Sequence, residues 1–412
     1  MKSNNIYGIL LIFALLLGYQ FAGAQEILDD YLVMAADNNP QLKARFNEYL
    51  AALEQVPQVG ALPDPELAFG YFILPVQTRT GPQQYRISAT QMFPWFGTLR
   101  ARENVATQTA KAKFELFEEA RAKLYDEVRG TYYNLYLNDK AFSILQENIQ
   151  ILKRFQSLAI IKVETGKVSP VDEYRIEMEM GDMENQLAGL RDQQQYLLVA
   201  FNNLVNSEID HVSLPDTLWN TGPELSRQEM LDSLRNGNHQ LLGLELQREA
   251  LVYKQEAAKK SGNPDFSIGL DYIAVGKGDN NMSGEDAFMF PRIGISIPLY
   301  RNKYRSMIQE AAYQETAKAL EKQDKMNMLE TLFEKTWNEL KDADRRMKLF
   351  VDQQDLAARS IRLLEVEYTT ADLNFEEVLR MERKQLHYSL ELEKARADKQ
   401  AAVSFLHYLM GN

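Results

Sequence analysis

The stretch Pro63-Asp-Pro-Glu-Leu-Ala-Phe-Gly-Tyr-Phe-Ile73 returns in the second half of the chain as Asn263-Pro-Asp-Phe-Ser-Ile-Gly-Leu-Asp-Tyr-Ile273. In the first copy Leu67, Phe69, Tyr71 and Ile73 alternate with Glu66, Ala68, Gly70 and Phe72. In the second, Phe266, Ile268, Leu270 and Tyr272 alternate with Asp265, Ser267, Gly269 and Asp271. A period of two puts large apolar side chains on one face of a β-strand and small or polar ones on the other. A further alternating run follows each copy. Tyr85, Ile87, Ala89, Gln91 and Phe93 alternate with Arg86, Ser88, Thr90 and Met92, and Ile293, Ile295, Ile297 and Leu299 alternate with Gly294, Ser296 and Pro298.

Each half therefore predicts two strands, each of about 9 to 11 residues, the length that crosses a bilayer when tilted. Tyr71, Tyr85, Phe93, Trp95, Phe266, Tyr272 and Phe290 lie where interfacial aromatic girdles would sit. A soluble sandwich shows the same alternation, so strand pattern alone leaves that reading open. If the strands do enter lipid, four of them cannot close a barrel. Each unsatisfied backbone group there costs several kcal/mol, and single-chain barrels start at about eight strands. Several copies must then share one wall, and symmetric closure is the default for identical parts.

The repetition extends well beyond the strands. Asn39 and Leu42 match Asn238 and Leu241, Pro65 matches Pro264, and Gly70 matches Gly269 at one common offset. At a slightly larger offset Asp172 pairs with Glu377, Arg175 with Arg380, Glu177 with Glu382, and Arg191 with Arg396. Repeats this long are far outside the solenoid range of about 20 to 50 residues, so the chain reads as a duplicated domain. The expected divisions are 1–24, 25–206 for the first repeat, 207–224 for a proline- and glycine-bearing connector, and 225–412 for the second repeat.

Between strands and turns lie very long helical stretches. From Thr98 to Thr165 no proline intervenes, and at about 1.5 Å per residue this predicts a rod on the order of 100 Å. Leu329, Phe333, Thr336, Leu340, Ala343, Met347 and Phe350 step alternately by four and three, as do Phe142, Leu145, Ile149 and Leu152. That mean step of about 3.5 marks a coiled-coil seam. Gly166 and Pro170 signal the turn that ends the first rod, with Ser169 expected as N-cap of the next helix and Asp172 three residues on. Asn374 with Glu377 is expected to do the same in the second repeat.

Composition narrows the classes. Residues 1–24 have a lysine near the start, an apolar run from Ile9 to Leu17, and Ala22-Gly23-Ala24 ahead of Gln25, the pattern of a secretory signal peptide. The chain has no cysteine, which removes thiolate metal sites and a disulfide framework. A formal net charge of −12 argues against nucleic acid. The four histidines, His211, His239, His387 and His407, form no HExxH motif, and no catalytic constellation emerges. Met180 and Met183 share a helix side while Met178 does not, so packing is a better account of them than Cu(I) ligation. His387 and Glu391, one turn apart, read as an exposed polar pair. No metal or cofactor is expected.

"NNPQLKA", "PDPEL", "QMFPWFGTLR", "TGKVSPVDEYR", "GNPDFSIGLDY", "ISIPLYRNKYR" and "FEEVLRMERKQL" appear here in one order and twice-written arrangement that resembles the TolC family of outer-membrane efflux channels. "QMFPWFG" is most similar to the branch that serves heavy-metal and cation pumps. The resemblance implies a mainly α fold with a small transmembrane β part. Coiled-coil helices would form an α-barrel, and four β-strands per chain would contribute to a twelve-stranded barrel in a homotrimer. It implies residence in the outer membrane of a bacterium, in contact with outer-membrane lipid and reaching into the periplasm. It also implies two partners, a periplasmic adaptor (membrane fusion) protein and an inner-membrane pump of RND or ABC type. Substrates would pass unchanged through a non-enzymatic conduit. A duct for type I protein secretion shares this fold, and a soluble periplasmic coiled-coil adaptor is the alternative from another class.

The same resemblance places a periplasmic entrance on Asp172 and Glu377, with Arg175 and Arg380 one turn further on; Arg380 stands where some members carry a second acid. N-terminal helix chemistry accounts for such acids equally well, since an anion there gains roughly 0.3–1 kcal/mol from the macrodipole. Adaptor docking would fall on the turns Thr165-Gly166-Lys167 and Thr370-Ala371-Asp372, whose chemistry departs from the family's Val-Gly-Leu-like triplet.

Overall fold

The computed structural model describes residues 26–165, 169–277, 284–370 and 375–412. The elements run α1 (26–38), α2 (Pro40–Gly60), β1 (Glu66–Tyr71), β2 (Gln77–Thr78), β3 (Gly81–Phe93), α3 (Thr98–Glu164), α4 (Val171–Val205), α5 (Arg227–Gly237), α6 (His239–Ser261), β4 (Asp265–Val275), β5 (Ala287–Ser296), α7 (Arg301–Thr370) and α8 (Phe375–Met410). The expected signal segment, 1–24, lies outside the described residues. So do Gly166, Lys167, Ala371, Asp372 and the expected N-cap Asn374.

Two compact units emerge: one holds residues up to Ala44 with Glu118–Asn238 and Asn327–Asn412, and the other holds Arg45–Phe117 with His239–Met326. The first is built on a helical seam. Leu145, Ile149, Leu152, Phe155 and Ala159 of α3 meet Ile176, Met183 and Leu187 of α4, Tyr368 of α7, and Phe375, Val378, Leu379 and Leu386 of α8. The predicted stripe on α7 follows the same rule, with Leu329, Phe333, Thr336, Leu340 and Ala343 buried and Met347 and Phe350 only partly so. Each large aliphatic side chain so buried contributes about 1.5–3 kcal/mol. Met183 is buried in the seam, Met180 packs partly against it and Met178 is exposed.

Helix ends in this unit explain why asparagine is written twice. Asn39 caps α2, its Oδ1 accepting from the amides of Gln41 at 3.0 Å and Leu42 at 3.1 Å, while its Nδ2 donates to the Leu204 carbonyl at 3.0 Å. Asn238, at the start of the matching segment, donates from Nδ2 to the Leu409 carbonyl at 2.9 Å. Each repeat thus ties the beginning of a helix to the end of its own last helix. Those last helices finish alike, through left-handed residues Asn206 (φ 48) and Gly411 (φ 89). Residues 207–226, without helix or strand, are strapped down by bonds from Lys399 Nζ to Asn220 Oδ1 (2.6 Å) and Gln400 Nε2 to the Trp219 carbonyl (2.8 Å).

The α4 start differs from expectation. Pro170, not Ser169, is the N-cap, and it makes no side-chain cap. Ser169 Oγ accepts from the Val171 amide at 3.3 Å, which leaves Asp172 free of a capping-box role.

The second unit contains an antiparallel sheet in the order β1-β3-β4-β5, with the two-residue β2 added to β3. The hairpins join through β3 and β4, which pair from Gln83↔Val275 to Phe93↔Phe266. β1 has six residues, shorter than the nine or more read from the alternation, because the chain leaves the ladder after Tyr71; β3, β4 and β5 have 13, 11 and 10. Phe69, Ile87, Tyr272 and Phe288 lie in one cross-strand row of the apolar face. That face is uncovered: Leu67 is 79 % exposed, Phe69 69 % and Ile293 71 %. Among the described residues nothing packs on this face as the second sheet of a sandwich would. Among the described residues no helix is long and apolar enough to cross a membrane.

Replacing Asn39 by Ala removes both a cap and a buried tether, and should lower stability by about 1–2 kcal/mol. Thermal unfolding of purified protein should show a clearly lower Tm than for wild type, and an unchanged Tm would refute the tether's importance.

Candidate periplasmic entrance

The seam that holds the first unit together also positions its acids. Asp172 occupies the helical side of α4 that carries Ile176, Met183 and Leu187, and so it is buried at 7 % exposure. Burial pushes its carboxyl above the ordinary aspartate range; Arg175 draws it back and Glu376 raises it further. Arg175 Nη1 lies 3.4 Å from Asp172 Oδ1, and its Nε lies 3.5 Å from Glu376 Oε2 on α8. Arg383 continues the chain of charges, with Nη1 3.6 Å from Glu376 Oε1 and Nε 2.7 Å from Glu179 Oε2 back on α4. Asp172, Arg175, Glu376, Arg383 and Glu179 thus form an alternating ladder that stitches α4 to α8. Such half-exposed pairs are worth only about 0–1 kcal/mol each.

The predicted residues do not all join this ladder. Asp172 and Arg175 do. Glu377 and Arg380 instead pair with each other on the exposed side of α8. The acid of the second repeat that faces the first is the neighbouring Glu376, a difference of one residue that rotates the side chain by about 100° around the helix. Thr165, at the end of α3, donates from Oγ1 to the Ile161 carbonyl at 3.0 Å. Thr370 closes α7.

Three further groups were not anticipated. Lys162, on the last turn of α3 and itself buried, bonds the Tyr368 carbonyl and sits 4.3 Å from the centre of its ring. The Tyr368 hydroxyl is pushed up to about 12 by burial, with Asp172 adding to the effect. Glu382 occupies a seam position of α8, since Phe375, Leu379, Glu382 and Leu386 step by four and three. It is 4 % exposed, and burial together with Glu365 pushes its carboxyl up to about 7 against the pull of Arg154. The heptad spacing on α8 was the signal that could have found it. Among the described residues no group of three or more histidines or acids is arranged to hold a metal ion. His387 makes a ring contact with Phe350 at 6.4 Å.

Glu382 yields a pH dependence whose sign is fixed. A carboxyl with a raised folded-state pKa contributes stability that is complete below the unfolded value near 4.5 and is lost as pH rises through about 7. Glu382→Gln cannot ionise, so its Tm should match wild type near pH 5 and exceed it increasingly toward pH 8. A Tm difference independent of pH would contradict the assignment.

Comparison with known proteins agrees with this architecture. A model of the outer membrane efflux protein family matches residues 31–207. The cobalt-zinc-cadmium resistance protein CzcC of Cupriavidus metallidurans is 24 % identical over 277 residues, covering 66 % of this chain; the match spans 62 % of that relative's length. The outer membrane protein VceC of Vibrio cholerae has a TM-score of 0.79 at 15 % identity, over 95 % of this chain and 98 % of that one. CusC, solved in connection with transmembrane channel formation, has a TM-score of 0.71 at 17 % identity, over 94 % and 92 %. Over residues 31–207 the chain is thus similar to the outer membrane efflux proteins, and its sheet-and-rod fold is that of the solved outer-membrane channels.

Proposed function

We propose that this protein is the outer-membrane channel of a tripartite efflux system. In this reading a homotrimer joins four principal strands per chain into a twelve-stranded barrel in outer-membrane lipid. The long helices build a periplasmic tunnel, and substrates expelled by an inner-membrane RND or ABC-type pump pass through it passively. The observation that carries the reading is the sheet: its apolar face is bare, and β1 and β5 are edges with no second partner strand among the described residues. In hydrocarbon such a face is at home, but such edges are not, so neighbouring copies must complete the ladder.

The entrance belongs to the same proposal. Asp172 and Arg175, with Glu377 and Arg380 on the facing repeat, would line the periplasmic end, and the Glu376–Arg383–Glu179 ladder would hold α4 against α8 there. A periplasmic adaptor protein would dock on the turns around Thr165-Gly166-Lys167 and Thr370-Ala371-Asp372. The name of the relative CzcC, a cobalt-zinc-cadmium resistance protein, favours divalent metal cations as cargo.

The chain has no cysteine, so cysteines placed at Ala68 of β1 and Gly294 of β5 give unambiguous cross-links. A bifunctional maleimide should produce a ladder ending at three subunits in detergent-extracted membranes; a monomer extractable in plain buffer would refute the trimeric barrel and favour a soluble adaptor. A deletion strain should lose tolerance to cobalt, zinc or cadmium. Unchanged tolerance with loss of a secreted polypeptide would favour a type I secretion duct.

Opening can be tested through the ladder. Removing about 1 kcal/mol from the closed arrangement raises the open population about fivefold. Arg175→Ala with Arg383→Ala should therefore increase channel conductance in planar bilayers more than either change alone, and equal conductance in all four proteins would rule out a gating role.

A further inference from the structure

Between α3 and α8 the seam contains one layer that breaks its apolar rule. The rings of Phe155 on α3 and Phe375 on α8 meet with their centres 5.4 Å apart. Farther along the same two helices the Tyr136 hydroxyl donates to Glu393 Oε2 at 2.5 Å, and Ser404 Oγ donates to Asp126 Oδ1 at 2.7 Å. As the residue number falls on α3 it rises by nearly the same amount on α8, so the helices run antiparallel in one fixed register. One heptad before Phe155 stands Asn148, and one heptad after Phe375 stands Glu382. A step of seven keeps a side chain on the same seam, so Asn148 and Glu382 come level with each other as the two rings do. The aromatic layer is thus followed by a polar one, with Asn148 7 % and Glu382 4 % exposed.

This layer is short of hydrogen bonds. Asn148 Oδ1 is buried without a donor, and so is Oε1 of Gln385, about one turn beyond Glu382. The Glu382 carboxyl has no ion pair or hydrogen bond among the described residues. One proton changes what it can do there. A neutral carboxyl is a donor and can give its O–H to the Asn148 amide oxygen, whereas an ionised one only accepts. Of the charged groups that face it from neighbouring helices, Glu365 on α7 opposes ionisation and Arg154 on α3 favours it, while α4 brings the apolar Ile176, Met183 and Leu187 to the seam. Arg383, beside it on α8, is engaged with Glu376 and Glu179. Burial is the largest influence and favours the neutral acid.

We propose that Asn148 and Glu382 form a proton-operated lock in the seam: the neutral pair holds α8 against α3 and keeps the periplasmic end closed, and loss of the proton loosens it. The inference rests on the duct proposed above and adds that the surrounding pH sets its resting openness. Opening brings Glu382 toward water, where its carboxyl titrates near 4.5, against about 7 when buried. The advantage of the closed form is therefore complete below about 4.5 and is lost as pH rises through about 7. Each unit by which opening lowers this pKa raises the open-to-closed ratio by about tenfold once that window is passed.

The test is the open probability of the purified protein in planar bilayers, read from about pH 5 to about pH 8. Wild type should open on the order of ten times more often at the alkaline end. Glu382→Gln keeps a donor and cannot ionise, so its open probability should stay at the low acid value throughout. Glu365→Gln removes the opposing charge and should bring the rise to its plateau at a lower pH. Simple damage to the seam would raise opening at every pH, so the directions of these two changes separate a proton lock from loosened packing. A conducting wild type with a flat profile, or a Glu382→Gln protein that keeps the wild-type profile, overturns the lock alone. A wild type that inserts without carrying current at any pH overturns the duct reading and the lock with it.

Discussion

Everything in this fold answers to the hydrogen bonds of a sheet that has two open edges and one bare apolar face. Water would satisfy the edges but reject the face; hydrocarbon accepts the face and leaves the edges unsatisfied. The channel proposed above, in which further strands pair with these edges inside lipid, would meet both demands. The chain contributes one arc of four principal strands, β1-β3-β4-β5, ordered so that its two hairpins lie side by side through β3 and β4. Duplication is thus a property of the sheet as well as of the sequence, because each repeat supplies one hairpin and the contact between repeats is itself a ladder.

The helical unit is held by a different balance. Its seam is apolar over most of its length and becomes polar where α4 and α8 begin, with Asp172 and Glu382 at positions that aliphatic residues would fill more stably. Buried acids in a coiled-coil seam weaken it, and the surface ladder through Arg175 and Arg383 returns only a little of that loss. The packing is therefore strong along the rods and marginal near the turns, where the proposed entrance would have to move.

Much of this was legible in the sequence because it depends on periodicity. The period-two runs gave the strands and their two faces, the four-three steps gave the seam, and the matched asparagines marked positions that make matching bonds in the structure. What was not legible depends on azimuth and on partners distant in sequence. Equivalence between repeats pointed to Glu377, while the helix turns Glu376 toward Arg175. Ser169 looked like a cap, yet the backbone places Pro170 there. Glu382 matches Glu177 between the repeats, but its burial follows from the four-three steps of α8 that put it in line with Leu379 and Leu386. Its place opposite Asn148 escaped because the two stand on helices from different repeats, and only the register fixed by Phe155 and Phe375 brings them level.

The join between β3 and β4 also bears on how the polypeptide reaches its folded form. Arg86 and Asp271, neighbours in the sheet, are 185 residues apart in the chain. Contacts of such long range form late, since the intervening segment must first be ordered at an entropic cost. Until the second repeat arrives, the first hairpin has on its β3 side an edge that β4 will later pair from Gln83 to Phe93. The strand order therefore makes the central ladder of the sheet its slowest part to assemble, because that ladder alone joins one repeat to the other.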